Sequence, residues 1–104
     1  MPSRERMYVI GSREMVLGFS LLGIAGYTPK SASKVETVLR ERFSDPDMAL
    51  ILVEDQVAAQ APALVDELQT RKDLPLVVEI PGPQGPIEKT SVKEFIAGAI
   101  GIRL

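Results

Sequence analysis

MALILV, residues 48–53, is apolar at all six positions. A strand with one solvated face alternates apolar and polar side chains. A strand without alternation needs cover on both faces, as a central strand in a parallel sheet has. Upstream, Asp45-Pro46-Asp47 reads as a turn, and Val35, Val38, Leu39 and Phe43 repeat at helical spacing before it. Ser33-Lys34-Val35-Glu36 fits the capping box that opens such a helix, with Ser and Glu each satisfying a free backbone N–H. Before that helix, IAGYTP (24–29) reads as a weak strand closed by Pro29, hence an edge. Ser12 can cap a helix running to about Gly23, and MYVIG (7–11) is a short buried strand.

Downstream, Pro62 resembles a helix breaker until it is placed at the first helical position, where its missing N–H is no loss. A turn over 55–60 and a helix from 62 to about 71, with Leu64, Val65 and Leu68 inward, satisfy that constraint. LVVEI (76–80) is a fourth strand. Ser91-Val92-Lys93-Glu94 is a second capping box, followed by an apolar stripe of Val92, Phe95, Ile96, Ala99 and Ile100. The order β-α-β-α-β-α-β-α implies one α/β domain over 1–104, with a four-stranded parallel sheet and right-handed crossovers. The expected strand order is flavodoxin-like, 2-1-3-4. The core would occupy 1–80, a Pro/Gly loop 81–90 and a C-terminal helix 91–104.

The 104 residues carry a net charge of −2 and only five aromatics, which gives no basic footprint for nucleic acid. With no Cys and no His, disulfides, thiol nucleophiles, imidazole bases and the usual structural zinc sites are all excluded. Residues 15–29, MVLGFSLLGIAGYTP, are uncharged and could pass for a signal-peptide core. Glu5 and Glu14 spoil the basic leader that such a segment needs, and the run falls short of the roughly 20 residues that span a bilayer.

GPQGPIEKTS (82–91), between strand and helix, raises the question of a nucleotide. A Walker loop needs G-x-x-x-x-G-K-[ST], so that backbone N–H groups converge on the phosphates beside the Lys. Aligning Lys89-Thr90 with that motif puts Pro83 and Glu88 where its glycines belong, and Pro83 and Pro86 remove two donors. Gly11-Ser12-Arg13 likewise lacks the G-x-G-x-x-G spacing. No cofactor is expected. Glu54-Asp55 after the third strand suggests a degenerate receiver domain binding a divalent metal. The first strand supplies no matching acid, and Asp55 reads more simply as a cap of the next turn. A small flavodoxin-like ligand site near Gly11, Ser12, Glu54 and Asp55 is the other alternative. Glu79 reads as a strand-end carboxylate at an exposed edge.

What remains is surplus apolar surface. The first helix is apolar at Met15, Val16, Leu17, Phe19, Leu21 and Leu22, more than one face. Such a helix is either deeply buried or shared with a partner. The last helix contains Gly98 and Gly101, each weakening it by about 1 kcal/mol relative to Ala. It can either pack permanently or undock onto another protein.

Three segments, YVIGSREMVLGFSLLGIAGY (8–27), MALILVEDQVAAQAP (48–62) and LPLVVEIPGPQGP (74–86), resemble the F subunit of the archaeal and bacterial V-type (A-type) rotary ATPases. The resemblance runs nearly end to end. It implies a Rossmann-like sheet with a C-terminal helix, no catalytic residue, and a cytoplasmic place in the central rotor stalk of a membrane-bound complex. It further implies binding to the coiled coil of the D subunit, coupling of the A/B ring to ion translocation, and a C-terminal helix involved in regulation that could reach the A/B ring. The expected partner contacts are Phe95, Ile96 and Ile100 on the last helix, with Met15 and Phe19 on the first.

Overall fold

The computed structural model describes residues 5–71 and 73–83. Within them the elements run β1 (Arg6–Ile10), α1 (Arg13–Ser20), β2 (Ala25–Tyr27), α2 (Ala32–Phe43), β3 (Met48–Glu54), α3 (Asp55–Ala58), α4 (Pro62–Gln69) and β4 (Leu76–Ile80). All pairings are parallel and the sheet order is β2-β1-β3-β4, as the sequence implies. The expected second capping box and last helix lie outside the described residues.

Period-two alternation divides the core between the two faces of the sheet. Ile10, Ile51, Val53 and Val77 point to one side, where Val35, Val38 and Leu39 of α2 and Leu64, Val65 and Leu68 of α4 cover them. Val9 and Leu52 point to the other side and meet Met15 of α1, flanked by Val16, Phe19, Leu50 and Ile80. The uninterrupted apolar run of β3 is thus explained by cover on both faces. Strand parity alone would put Met48 with Leu50 and Leu52, yet it belongs to the α2 and α4 side. A register shift reconciles this: Arg6 pairs with Met48 but Met7 pairs with Leu50, so Ala49 is an extra residue.

Two local expectations change. Ser31 caps α2, accepting from the Lys34 N–H at 3.3 Å, and the Ser33–Glu36 box is not used. Ser33 sits in the first turn, where its carbonyl accepts from the Thr37 hydroxyl at 2.9 Å. Both registers bury Val35, Val38 and Leu39, so apolar spacing could not choose between the serines. The earlier start also gains the Val35 N–H to Ser31 C=O bond at 3.1 Å. Asp55, in turn, is not the cap of α3; that position belongs to Glu54, whose side chain makes no capping bond there. Pro62 stands in the first turn of α4, as its missing N–H requires.

β4 is less evenly covered. Val77 is buried, but Leu76 and Val78, on the α1 side, are 52% and 39% exposed. α1 lies on that same face but over β1 and β2, toward the opposite edge of the sheet.

Candidate functional site

Two regions compete: the carboxyl ends of the strands, where doubly wound folds bind ligands, and the surface of α1.

At the strand ends, the chain turns from β1 into α1 through Gly11, whose backbone lies tight against Met15 and Glu54. A Cβ there would stand 3.0 Å from the Met15 sulfur and 3.1 Å from Glu54 Cβ. Ser12 then caps α1, its hydroxyl accepting from the Met15 N–H at 3.4 Å. The Ser12 N–H donates to Glu54 Oε1 at 3.1 Å, across 42 residues of sequence. Glu54 is 2% exposed, so a buried carboxylate closes the amino-terminal end of α1, where free N–H groups and the helix dipole favour negative charge. Gly82 abuts the same carboxylate, since a Cβ there would come within 2.6 Å of Glu54 Oε2. The hollow bounded by Ser12, Glu54, Gly82 and Pro83 measures ≈30 Å³. Ligand pockets occupy roughly 300–1,000 Å³. Among the described residues, no three acidic, His or Cys side chains group to hold a metal.

α1 is different. Met15 and Phe19 form its inward stripe: Met15 is 7% exposed against Val9 and Leu52, and Phe19 packs half-buried beside it. Between the two readings open for these residues, core packing accounts for Met15. One register over, Leu17, Leu21 and Leu22 face solvent, 65%, 82% and 75% exposed. Leu17 and Leu21 are spaced i, i+4 and therefore lie in line along the helix. Gly18 beside them would meet nothing within 4 Å if given a Cβ, so the ridge borders an open notch. A concavity of ≈500 Å³ flanks it, lined by Arg13, Val16, Leu17, Ser20 and Thr28.

The end of α1 holds this ridge in place. The Gly23 N–H donates to the Ser20 carbonyl at 3.0 Å and the Ile24 N–H to the Phe19 carbonyl at 3.1 Å. This bond pair terminates a helix through a left-handed residue, and Gly23 has φ +81°. Phe19 and Ile24 both pack on the α1-side core, the hydrophobic contact that accompanies this termination. The helix-like backbone therefore continues through the leucines to Gly23, as the sequence implies, although the regular α-helix ends at Ser20. The sequence shows a helix apolar beyond one face, and the contacts expected on it, Met15 and Phe19, are the inward pair. The signal that points to the outward leucines is the double stripe, Met15–Phe19 and Leu17–Leu21, of which a small sheet can bury only one.

Phe95, Ile96 and Ile100 lie outside the described residues. Glu79 is half-buried on β4.

Comparison with known proteins places the whole chain. The family described as ATP synthase (F/14-kDa) subunit matches residues 7–96. The A-type ATP synthase F subunit of Methanothermobacter thermautotrophicus is 27% identical over 99 residues, covering 92% of each chain. The V-type ATP synthase F subunit of Thermus thermophilus is 28% identical over 99 residues, covering 91% of this chain and 95% of the relative. The A-type ATP synthase F subunit of Thermoplasma volcanium is 32% identical over 98 residues, covering 90% and 89%.

Proposed function

The chain belongs to the F-subunit family of A-type and V-type ATP synthases, and from that membership we propose that it is a non-catalytic subunit of the central rotor stalk. It binds the coiled coil of the D subunit and helps couple ATP turnover in the A/B ring to ion translocation through the membrane. No chemical step is assigned to its residues; nucleotide is handled by neighbouring subunits. Its place is cytoplasmic and peripheral. Among the described residues no helix is long and apolar enough to cross a membrane.

The observation that supports this reading best is the leucine ridge. Leu17 and Leu21 lie in line as an exposed aliphatic strip on a surface helix, with Leu22 exposed beside its end, and a fixed helix end holds them. Such a strip beside a glycine notch suits a partner helix, whose side chains can lodge between the leucines and over Gly18. Burying the three leucines fully is worth about 3–6 kcal/mol, a substantial share of a micromolar affinity near 8 kcal/mol. Phe95, Ile96 and Ile100 supply a second contact, through a C-terminal helix able to exchange partners and reach the A/B ring.

The test is co-expression with the D subunit from the same organism, followed by size-exclusion chromatography with light scattering. A stable one-to-one complex is expected. Two separate monomers at both low and moderate salt would refute the assignment.

A further inference from the structure

A second unusual feature lies at the amino-terminal end of the sheet, away from Glu54. The last turn of α2 lays Arg42 over the Tyr8 ring, with the guanidinium carbon 4.9 Å from the ring centroid. Arg42 Nε is buried and has no hydrogen-bond partner. A guanidinium has five N–H donors and no acceptor, so a polar group entering beside Arg42 meets donors only. Buried polar atoms without partners are rare in folded proteins, and each calls for an explanation. A cavity of ≈480 Å³ opens beside it, lined by Arg6, Tyr8, Ile24, Ala25, Arg42 and also Glu5.

We propose that this notch is a binding site for a single carboxylate, received by Arg42 over Tyr8 with Arg6 at the rim. The fork of a guanidinium matches the two oxygens of a carboxylate, and stacking on an aromatic face holds the fork still. Among the described lining residues, Arg6 and Arg42 against Glu5 leave one net positive charge, which matches a singly charged carboxylate better than a doubly charged phosphate. Glu41, a neighbour on α2, acts on the Tyr8 phenol but is not part of the lining. Burial raises the Tyr8 pKa above 10.0, although Arg42 opposes the shift. The phenol therefore stays protonated at neutral pH and can donate to an anion. The carboxylate is either an acidic side chain of a protein partner or a free small carboxylate. The site itself does not depend on the stalk assignment.

The experiment is an NMR titration of the full ¹⁵N-labelled chain with sodium acetate, against sodium chloride at equal ionic strength, following the amides of Tyr8, Ile24 and Ala25. Acetate should produce saturable shifts that chloride does not. Arg42→Lys, which keeps the charge but loses the fork, should weaken binding about tenfold, and Arg42→Gln should abolish it. Spectral dispersion shows whether each variant is folded. Equal responses to acetate and chloride, or an unchanged response in Arg42→Gln, would overturn the site. Tighter binding of inorganic phosphate at the same amides would overturn the carboxylate assignment. Repeating the titration on the complex with the D subunit separates the two sources. Loss of the acetate response there identifies the partner's own carboxylate, and its persistence identifies a free one; either supports the site.

Discussion

Leu21→Ala separates a docking surface from a core more sharply than any other change in this chain. Leu21 is 82% exposed, on helical backbone just after α1. Alanine suits that backbone at least as well, so the isolated protein should keep its stability to within about 0.5 kcal/mol. If Leu21 lies under a partner helix, truncation removes about three buried carbons. At about 0.8 kcal/mol per CH₂ that is roughly 2 kcal/mol, or a thirtyfold weaker Kd. Leu21→Asp adds the desolvation of a charge and should exceed a hundredfold, since 1.4 kcal/mol is each factor of ten. Met15→Ala is the matched control one register away. Met15 is 7% exposed, so its loss leaves a cavity and destabilises the fold by about 2–5 kcal/mol. Its effect on Kd, measured while the protein is still folded, should be the smaller one. Calorimetric titration with the D subunit gives the Kd values, and thermal denaturation gives the stabilities. A Kd for Leu21→Ala within twofold of the parent, or a larger binding defect in folded Met15→Ala, would refute the ridge as the contact.

Other expectations concern the scaffold. Glu54→Ala removes the carboxylate that accepts from the Ser12 N–H and should destabilise by about 1–2 kcal/mol, with Glu54→Gln intermediate, as read by urea denaturation. Gly26→Ala would bring a Cβ to 2.5 Å from Val9 Cγ1 and 2.8 Å from the Val9 carbonyl, so a loss of about 1–3 kcal/mol should appear as a lower Tm. Ser31→Ala should cost about 1 kcal/mol and Ser33→Ala less than half that; the reverse order would restore the capping box as the true start of α2. Tyr8 should ionise above pH 10.0 in a phenolate absorbance titration, and removing Arg42 should move it further up. Because the folded value is the raised one, this contribution to stability is complete below pH 10 and is lost as pH climbs through the folded pKa.

The fold was legible because its signals were redundant. The run of β3 demanded two covering layers, Pro62 had one tolerable position, and Leu64, Val65 and Leu68 are buried where helical spacing puts them. The errors came where two solutions satisfy the same pattern. Ser31 and Ser33 both present Val35, Val38 and Leu39 to the sheet, and only the course of the chain from β2 separates them. Ala49 is invisible as a bulge because every residue around it is apolar, so a slip in register leaves the pattern unchanged. For α1, composition showed more apolar surface than one face can bury but not which stripe meets the sheet. The position of Ser12 and Glu54 settles that, because the cap fixes the rotation of the first turn. Arg42 over Tyr8 gave no sequence signal, since 34 residues separate them and neither forms a motif.

The same cap occupies the position at which a doubly wound architecture usually holds an anion. In such folds the first helix offers its amino-terminal N–H groups to an anion at the carboxyl end of β1, and in nucleotide-binding members a phosphate takes that place. Here the chain supplies a carboxyl group of its own. Glu54 leaves the end of the central strand, crosses to the Ser12 N–H, and lies against the backbone of Gly11 and Gly82. The space left measures ≈30 Å³, room for about two waters at 10–15 Å³ each. The internal carboxylate also fixes α1 against β3, and its glycine-terminated end fixes the other extremity. A helix pinned at both ends by its own chain can present Leu17, Leu21 and Leu22 in a constant orientation. For a protein proposed to ride on a rotating shaft, that rigidity is the useful property. The residue pair that fills the anion position is thus the pair that sets the orientation of the exposed leucines.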